Sequence, residues 1–467
     1  MLNDPQGLAL PAIDAAAGAA LANALVAFRT YRGDPIAPLD EAIGLAPGLA
    51  IAPIAKALML TMLFERRFAR DAVKTLDAAA PVLARAGARE KTLAAATRRL
   101  AEGDWHGGVA ALDQVLMEYP RDLLAIQAAH IVDFIRGDSL NLRNRISRAL
   151  PHWSPSVPGY SFVLGMHAFG LEENNQYPEA EATGLRALEM APEDCWAVHA
   201  VTHVYEMQGR IEEGARFLVQ RKADWATPDN GFAYHNWWHL ALFHLDRGDH
   251  QAALAIYDEV LAGAHGMALS RLDATAMLWR LRLEGVDVGA RFEAVADAWQ
   301  ADLDAEGGFY AFNDFHAALA FAATGRDAQA ARLRQAVHDA TRRSDANAAM
   351  SRDVGIGLCE ALHDFADGRY GAAAEWLATV RDGAIRFGGS HAQRDLLTLT
   401  LIEAARLAGR GKLAHHYLGE RLVHKPGGAW GLRLAQRIGE TAAARPQARS
   451  RTSAARISAG TGSSLAV

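Results

Sequence analysis

Two pairs of histidines carry the chemistry that can be read from this 467-residue chain. His199 and His203 stand four residues apart, and Glu206 follows three residues later. At about 100° per residue these three side chains share one face of a helix. His235 and His239 repeat the four-residue spacing. Neutral imidazoles presented in pairs on one face, with a carboxylate beside them, form a sound ligand set for zinc or iron. The same residues also suit a pocket, because Trp237 and Trp238 lie inside the second pair and offer aromatic wall. A third reading is structural, in which His, Asn and Trp join long helices through buried hydrogen bonds.

The elements that position these residues follow from a repeat. An apolar helical stretch, a Gly, a polar residue and an Ala-rich helix recur along the chain, most clearly at Gln208–Ala215, Arg247–Leu254, Asp367–Ala373, Thr324–Ala330 and Glu102–Ala110. Successive anchors at Gly33, Arg66, Gly103, Gly137, Asn175, Gly209, Gly248, Gly285, Gly325, Gly368 and Gly409 lie 33 to 43 residues apart. A period starting near 34 residues is the signature of tetratricopeptide (TPR) repeats. Pro192 and Pro120 fall where the second helix of such a repeat ends, and sustained two-residue alternation is absent. The expected fold is therefore all-α, a right-handed TPR-like superhelix of about eleven helix pairs. It runs as one solenoid over 1–440, less regular over 1–100, central over 101–325 and C-terminal over 326–440. The Ala/Arg/Ser/Gly-rich stretch 441–467 is expected to be a disordered tail. Pro151–Gly159 reads as a Pro-rich connector or a concave-side insertion.

First helices of neighbouring repeats line the inner wall of such a superhelix. His203 lies six residues before Gly209 and His239 nine before Gly248. That offset is close to one turn, so the two pairs can face the same way. By the same register Glu172, Trp279 and His316 continue the stripe, with Asn313 and Asp314 one turn away. His167 falls on the opposite side, and Arg352, Asp353, Arg394 and Asp395 open later first helices.

Two phrases, Asp194-Cys195-Trp196-Ala197-Val198-His199-Ala200-Val201-Thr202-His203-Val204-Tyr205-Glu206-Met207-Gln208-Gly209-Arg210 and His235-Asn236-Trp237-Trp238-His239-Leu240-Ala241-Leu242, resemble the tetratricopeptide repeat protein 38 family. The stretch Gly388–Asp395 resembles it too, and the resemblance spans about residues 10 to 435. It implies a superhelical repeat fold in a cytosolic protein and carries over no activity.

Composition bounds the function classes. Hydrophobic residues make up 51% and charged residues 22%, as in a folded, core-forming chain. A net charge of −6 argues against a general nucleic-acid binder, which needs a basic stripe. Cys195 and Cys359 are the only cysteines, consistent with a reducing compartment. No basic stretch precedes an apolar run at the start, and the apolar stretch Leu45–Leu63 is interrupted by Pro47, Pro53 and Lys56, so neither a signal peptide nor a membrane span is expected. Phosphate-cradling glycine loops and a serine nucleophile elbow are absent, Ser390 and His391 are sequence neighbours and not a nucleophile–base pair, and Cys359 sits in an apolar helical context. His199-Ala200-Val201-Thr202-His203 lacks the glutamate that follows the first histidine in zinc peptidases.

The expected function is a cytoplasmic binding or scaffold protein whose concave groove takes a small polar ligand or an extended peptide. The groove would be lined by His199, His203, Glu206, His235, Trp238, His239, Trp279 and His316. The alternative is a metal-dependent enzyme, hydrolase- or oxygenase-like. There His199, His203, His235 and His239 hold zinc or iron, with Glu206 as a fifth ligand or general base.

Overall fold

The computed structural model describes residues 2–10, 14–263 and 265–441. The expected tail lies outside the described residues beyond Thr441, which itself still closes a helix over 429–441.

Among the described residues eleven helix pairs follow one another, from Ala15–Thr30 with Ile36–Leu45 to His391–Leu407 with Gly411–His424. Among the described residues, extended structure is confined to a two-residue hairpin in which Leu2–Asn3 pairs antiparallel with Ala9–Leu10. The architecture is an all-α, TPR-like superhelix. No helix of the described residues is long and apolar enough to cross a membrane.

Local chemistry explains where helices begin. Asp104, Asp122, Asp138, Asp194, Asp249 and Asp345 each precede a helix and accept hydrogen bonds from backbone N–H groups two or three residues on. These bonds satisfy donors that the first helical turn leaves free. The repeat glycines act at the turn between the two helices of a pair: nine of the anchors have φ between 65° and 90°, and Asn175 has φ 60°. That left-handed conformation reverses the chain at little cost only without a Cβ. Gly170, within a helix, serves close approach, since an added Cβ would lie 2.6 Å from the Leu142 carbonyl oxygen. At Arg66 the anchor fails, and Phe64 (φ 50°) makes the turn in its place.

The superhelix is wound tightly enough that successive turns touch. The Tyr310 hydroxyl donates to the carbonyls of Ile135 (3.1 Å) and Phe387 (3.0 Å). The Ala268 N–H donates to Glu65 (2.9 Å), and the Arg66 Nε donates to the Ala305 carbonyl (2.9 Å). Inner helices are consequently enclosed, and all thirteen residues of Cys195–Met207 are buried. The chain's own segments cover much of the inner wall and leave cavities between them. Trp153 donates through Nε1 to the Pro120 carbonyl, and Gln6 donates to Pro158, so Pro151–Gly159 is a packed connector.

Gly209 joins the left-handed turn to this winding, since a Cβ there would strike the Pro426 carbonyl oxygen. Gly209→Ala is expected to destabilise the protein by about 1–3 kcal/mol, measured by urea unfolding. Gly285→Ala, with φ 83° but open space around it, isolates the conformational part and should lose less.

Candidate functional site

The inner helices Cys195–Met207 and Ala233–Arg247 bring the two histidine pairs together. Their four rings form one buried cluster, with centroids 4.4 Å apart for His199–His203, 4.5 Å for His203–His239 and 4.9 Å for both His199–His235 and His235–His239. His199 Nε2 lies 2.9 Å from His203 Nε2 and 3.2 Å from His235 Nε2. One nitrogen from each of the four residues fits within a span of 4.8 Å.

Carboxylates on the outer side of the cluster orient the rings. The His235 Nδ1 lies 2.6 Å from Asp273 Oδ2, and the His239 Nδ1 lies 2.9 Å from Glu206 Oε2. The His203 Nδ1 faces Glu172 Oε2 at 3.6 Å. An ionised carboxylate only accepts, so the His235 and His239 contacts favour the tautomer with hydrogen on Nδ1 and turn the Nε2 lone pair inward, whereas His203 Nδ1 has no hydrogen bond to Glu172. Two lone pairs, those of His235 and His239, then point at one centre beside His203 and His199. The single Nε2 of His199 can donate to only one of its two close neighbours, and the His239 Nε2 has no partner at all. A cation at the centre satisfies all four nitrogens. Zinc at about 2.0–2.1 Å from each nitrogen requires tetrahedral spacings of about 3.3 Å, close to the two measured here. The carboxylate–histidine contacts are the outer shell that metal-binding imidazoles ordinarily carry.

Charge points the same way. When ionised, Asp273 and Glu206 bring two negative charges to the imidazoles, and Lys425 Nζ, 2.6 Å from Glu206 Oε1, offsets one. Arg280 donates to the Ala276 and Ala392 carbonyls and lies 5.2 Å over the Trp238 ring. Glu172 is fully buried with neither oxygen hydrogen-bonded, and burial beside Glu173 pushes its carboxyl well above the usual range. Lys425 and His239 hold Glu206 well below that range despite its burial. Burial, reinforced by mutual repulsion, lowers His199 and His203 well below the ordinary imidazole value and lowers His239 as well. Neutral imidazoles are the form that binds metal.

The remaining sequence candidates occupy other positions. Trp238 is fully buried and stacks on His235 (5.3 Å, interplanar angle 14°), so it braces a ring of the cluster. Trp279 donates through Nε1 to Thr400 Oγ1 (3.1 Å) and packs on Phe365. His316 bonds to the Phe312 carbonyl within its own helix at 2.8 Å, and burial pushes its pKa down to about 3. Both lie in helix packing away from the cluster. Glu206 has its two oxygens on Lys425 and His239, which leaves neither free to act as a general base. His167 lies 3.0 Å from Ser147 Oγ, outside the cluster. Arg394 and Asp395 line a polar cavity of about 200 Å³ together with Lys425. Arg352 is on the surface in a π turn, bonded to the Thr341 carbonyl.

Sequence reasoning missed Asp273, Lys425 and the aromatic wall. On the side of His199 and His235 lies a cavity of about 370 Å³, lined chiefly by carbon from Phe28, Met59, Phe134, Trp196, Leu272 and Phe312. Asp273 lies twelve residues before Gly285, close to the thirteen that separate His235 from Gly248, so the register of the repeat contained a signal for it. Lys425 gives none, because it arrives from 219 residues beyond Glu206.

Asp273→Asn keeps the shape and changes what His235 Nδ1 faces. It is expected to weaken zinc binding roughly 10- to 100-fold in competition with a chelating dye. Unchanged affinity would show that this carboxylate does not orient a ligand.

No family model matches the chain. Among solved structures it is similar to Cut9 in the APC/C hetero-tetramer Cut9–Hcn1, with 13% identity over 90% of this chain and 76% of that one and a TM-score of 0.44. It is also similar to the human IFIT1 dimer with m7Gppp-AAAA, with 12% identity over 92% of this chain and 96% of that one and a TM-score of 0.42.

Proposed function

We propose that this TPR-like protein, a cytosolic relative of the tetratricopeptide repeat protein 38 family by its Asp194–Arg210 and His235–Leu242 phrases, is a metal-centred binding protein. His199, His203, His235 and His239 hold one divalent ion, zinc or iron, inside a helical-repeat scaffold. The observation that carries this reading is the convergence of the four imidazoles, two of them backed by carboxylates that turn their lone pairs inward. Four nitrogen donors suit zinc, iron, copper or nickel better than magnesium or calcium, which prefer oxygen. When bound, the ion would supply Lewis acidity and a fixed positive charge. The residues around it would fix ring orientation, exclude water and balance charge.

Cobalt substitution tests the ligand set directly. Cobalt(II) added to metal-free protein is expected to give ligand-field bands of a four-nitrogen site at one equivalent, displaced by zinc. Bands that persist unchanged in His203→Ala would place the ion elsewhere.

A further inference from the structure

We infer that the cavity beside the cluster receives a small neutral molecule with a hydrocarbon, preferably aromatic, body and one head that coordinates the ion as a fifth ligand. The inference rests on the metal reading for the head and on the cavity alone for the body.

Four features of the cavity point to this ligand. Its volume of about 370 Å³ lies within the range of small-molecule sites. Its wall is assembled from segments remote in sequence, including Phe28, Met59, Ile131, Leu272 and Phe312, with few polar groups among them. Asp34 is the one charged side chain on it, and that residue is exposed. A charged or strongly polar body would lose its hydration there without gaining partners, whereas hydrocarbon gains by entering.

The second feature is where the polarity sits. His199 and His235 belong both to this wall and to the ligand set, so the apolar space ends on the imidazoles. The third is shape. Trp196 and Phe232 lie 5.1 and 5.2 Å from the His199 ring, and Tyr31 stacks on Trp196 at 5.8 Å, so flat faces border that end. The fourth is the contrast with the other side of the cluster. There Glu206 leads to Lys425 and to a cavity lined by Arg381, Arg394, Asp395 and Arg421, where a hydrocarbon finds no match.

Two probes separate body from head. N-phenyl-1-naphthylamine, a neutral fluorophore that brightens in apolar surroundings, reads the cavity whether or not metal is present. 4-Phenylimidazole adds a nitrogen donor to an aromatic ring, and imidazole supplies the donor alone. The fluorophore should bind saturably and be displaced by 4-phenylimidazole. In cobalt-loaded protein 4-phenylimidazole should shift the ligand-field bands at a concentration about 10- to 100-fold lower than imidazole, the gain expected from burying its ring. Leu272→Trp and, independently, Met59→Trp fill the cavity. Each should abolish fluorophore binding while retaining the cobalt bands, which also shows that the variant is folded.

Fluorophore that does not bind, or that binds the filled variants as well as the wild type, would overturn the inference. Equal potency of imidazole and 4-phenylimidazole would overturn it too. Displacement of fluorophore without any change in the cobalt bands would overturn the coordinating head. Failure to take up cobalt at all would refute the metal reading, and the fluorophore arm would still decide the body.

Discussion

His203→Ala is expected to lower zinc affinity on the order of 100-fold and to reduce the chelator response of the protein's stability by about 3 kcal/mol. The first magnitude follows from sharing an apparent 10–16 kcal/mol of structural zinc binding among four ligands, about 3 kcal/mol each. The second follows from linkage, since an ion that binds only the folded state adds stability that a chelator removes. Wild-type protein should therefore melt lower in chelator, and His203→Ala should show a much smaller drop. His316→Ala is the matched control, because its ring is also buried on an inner helix but bonds only to Phe312. That variant should keep zinc affinity and the chelator response while losing stability through its cavity. Calorimetric melts of the two variants with and without chelator check both halves, and equal chelator responses would contradict the assignment.

Acid is expected to unfold the metal-free protein well above the range in which exposed carboxylates titrate. Burial pushes His130 and His316 down to about 3, and lowers His199, His203 and His239 as well. In the unfolded chain each returns to about 6.5. Between those values the unfolded state binds more protons, so stability is full above about pH 6.5 and falls as the pH drops below it. From pH 6.5 to pH 5 each such imidazole removes at most about 2 kcal/mol. The raised carboxyls of Asp194, Asp314 and Glu172 act in the opposite sense, but the five imidazoles exceed the three carboxyls and a net loss remains. Urea melts at pH 7, 6 and 5 in chelator should show this decline, and His316→Leu should flatten it by one proton. A His316→Leu variant with the same pH slope as the wild type would be inconsistent with a buried neutral imidazole at that position.

The repeat period made the fold legible, because each pair ends on a residue with few alternatives. Glycine at a left-handed turn and aspartate at a helix start mark boundaries through local chemistry, which a sequence displays directly. The histidine pairs were legible for the same reason, since a four-residue spacing places them on one face and the register brings neighbouring first helices together. Trp279 and His316 follow the same register yet pack into helix contacts, because register places a residue on the inner wall without saying which segment will cover it. The tight winding is what the sequence concealed. Contacts such as Lys425 with Glu206 and Tyr310 with Ile135 depend on how eleven small rotations accumulate. That accumulation supplied the charge that balances Glu206.

Elemental analysis by plasma mass spectrometry, on tag-free protein purified without chelator and reloaded with zinc or iron before desalting, addresses the central claim most directly. About one ion per chain is expected in the wild type, with near zero in the His203→Ala/His239→Ala variant treated in parallel. A wild type that retains no ion after reloading, or a double variant that retains as much as the wild type, would contradict a metal centre at the four imidazoles.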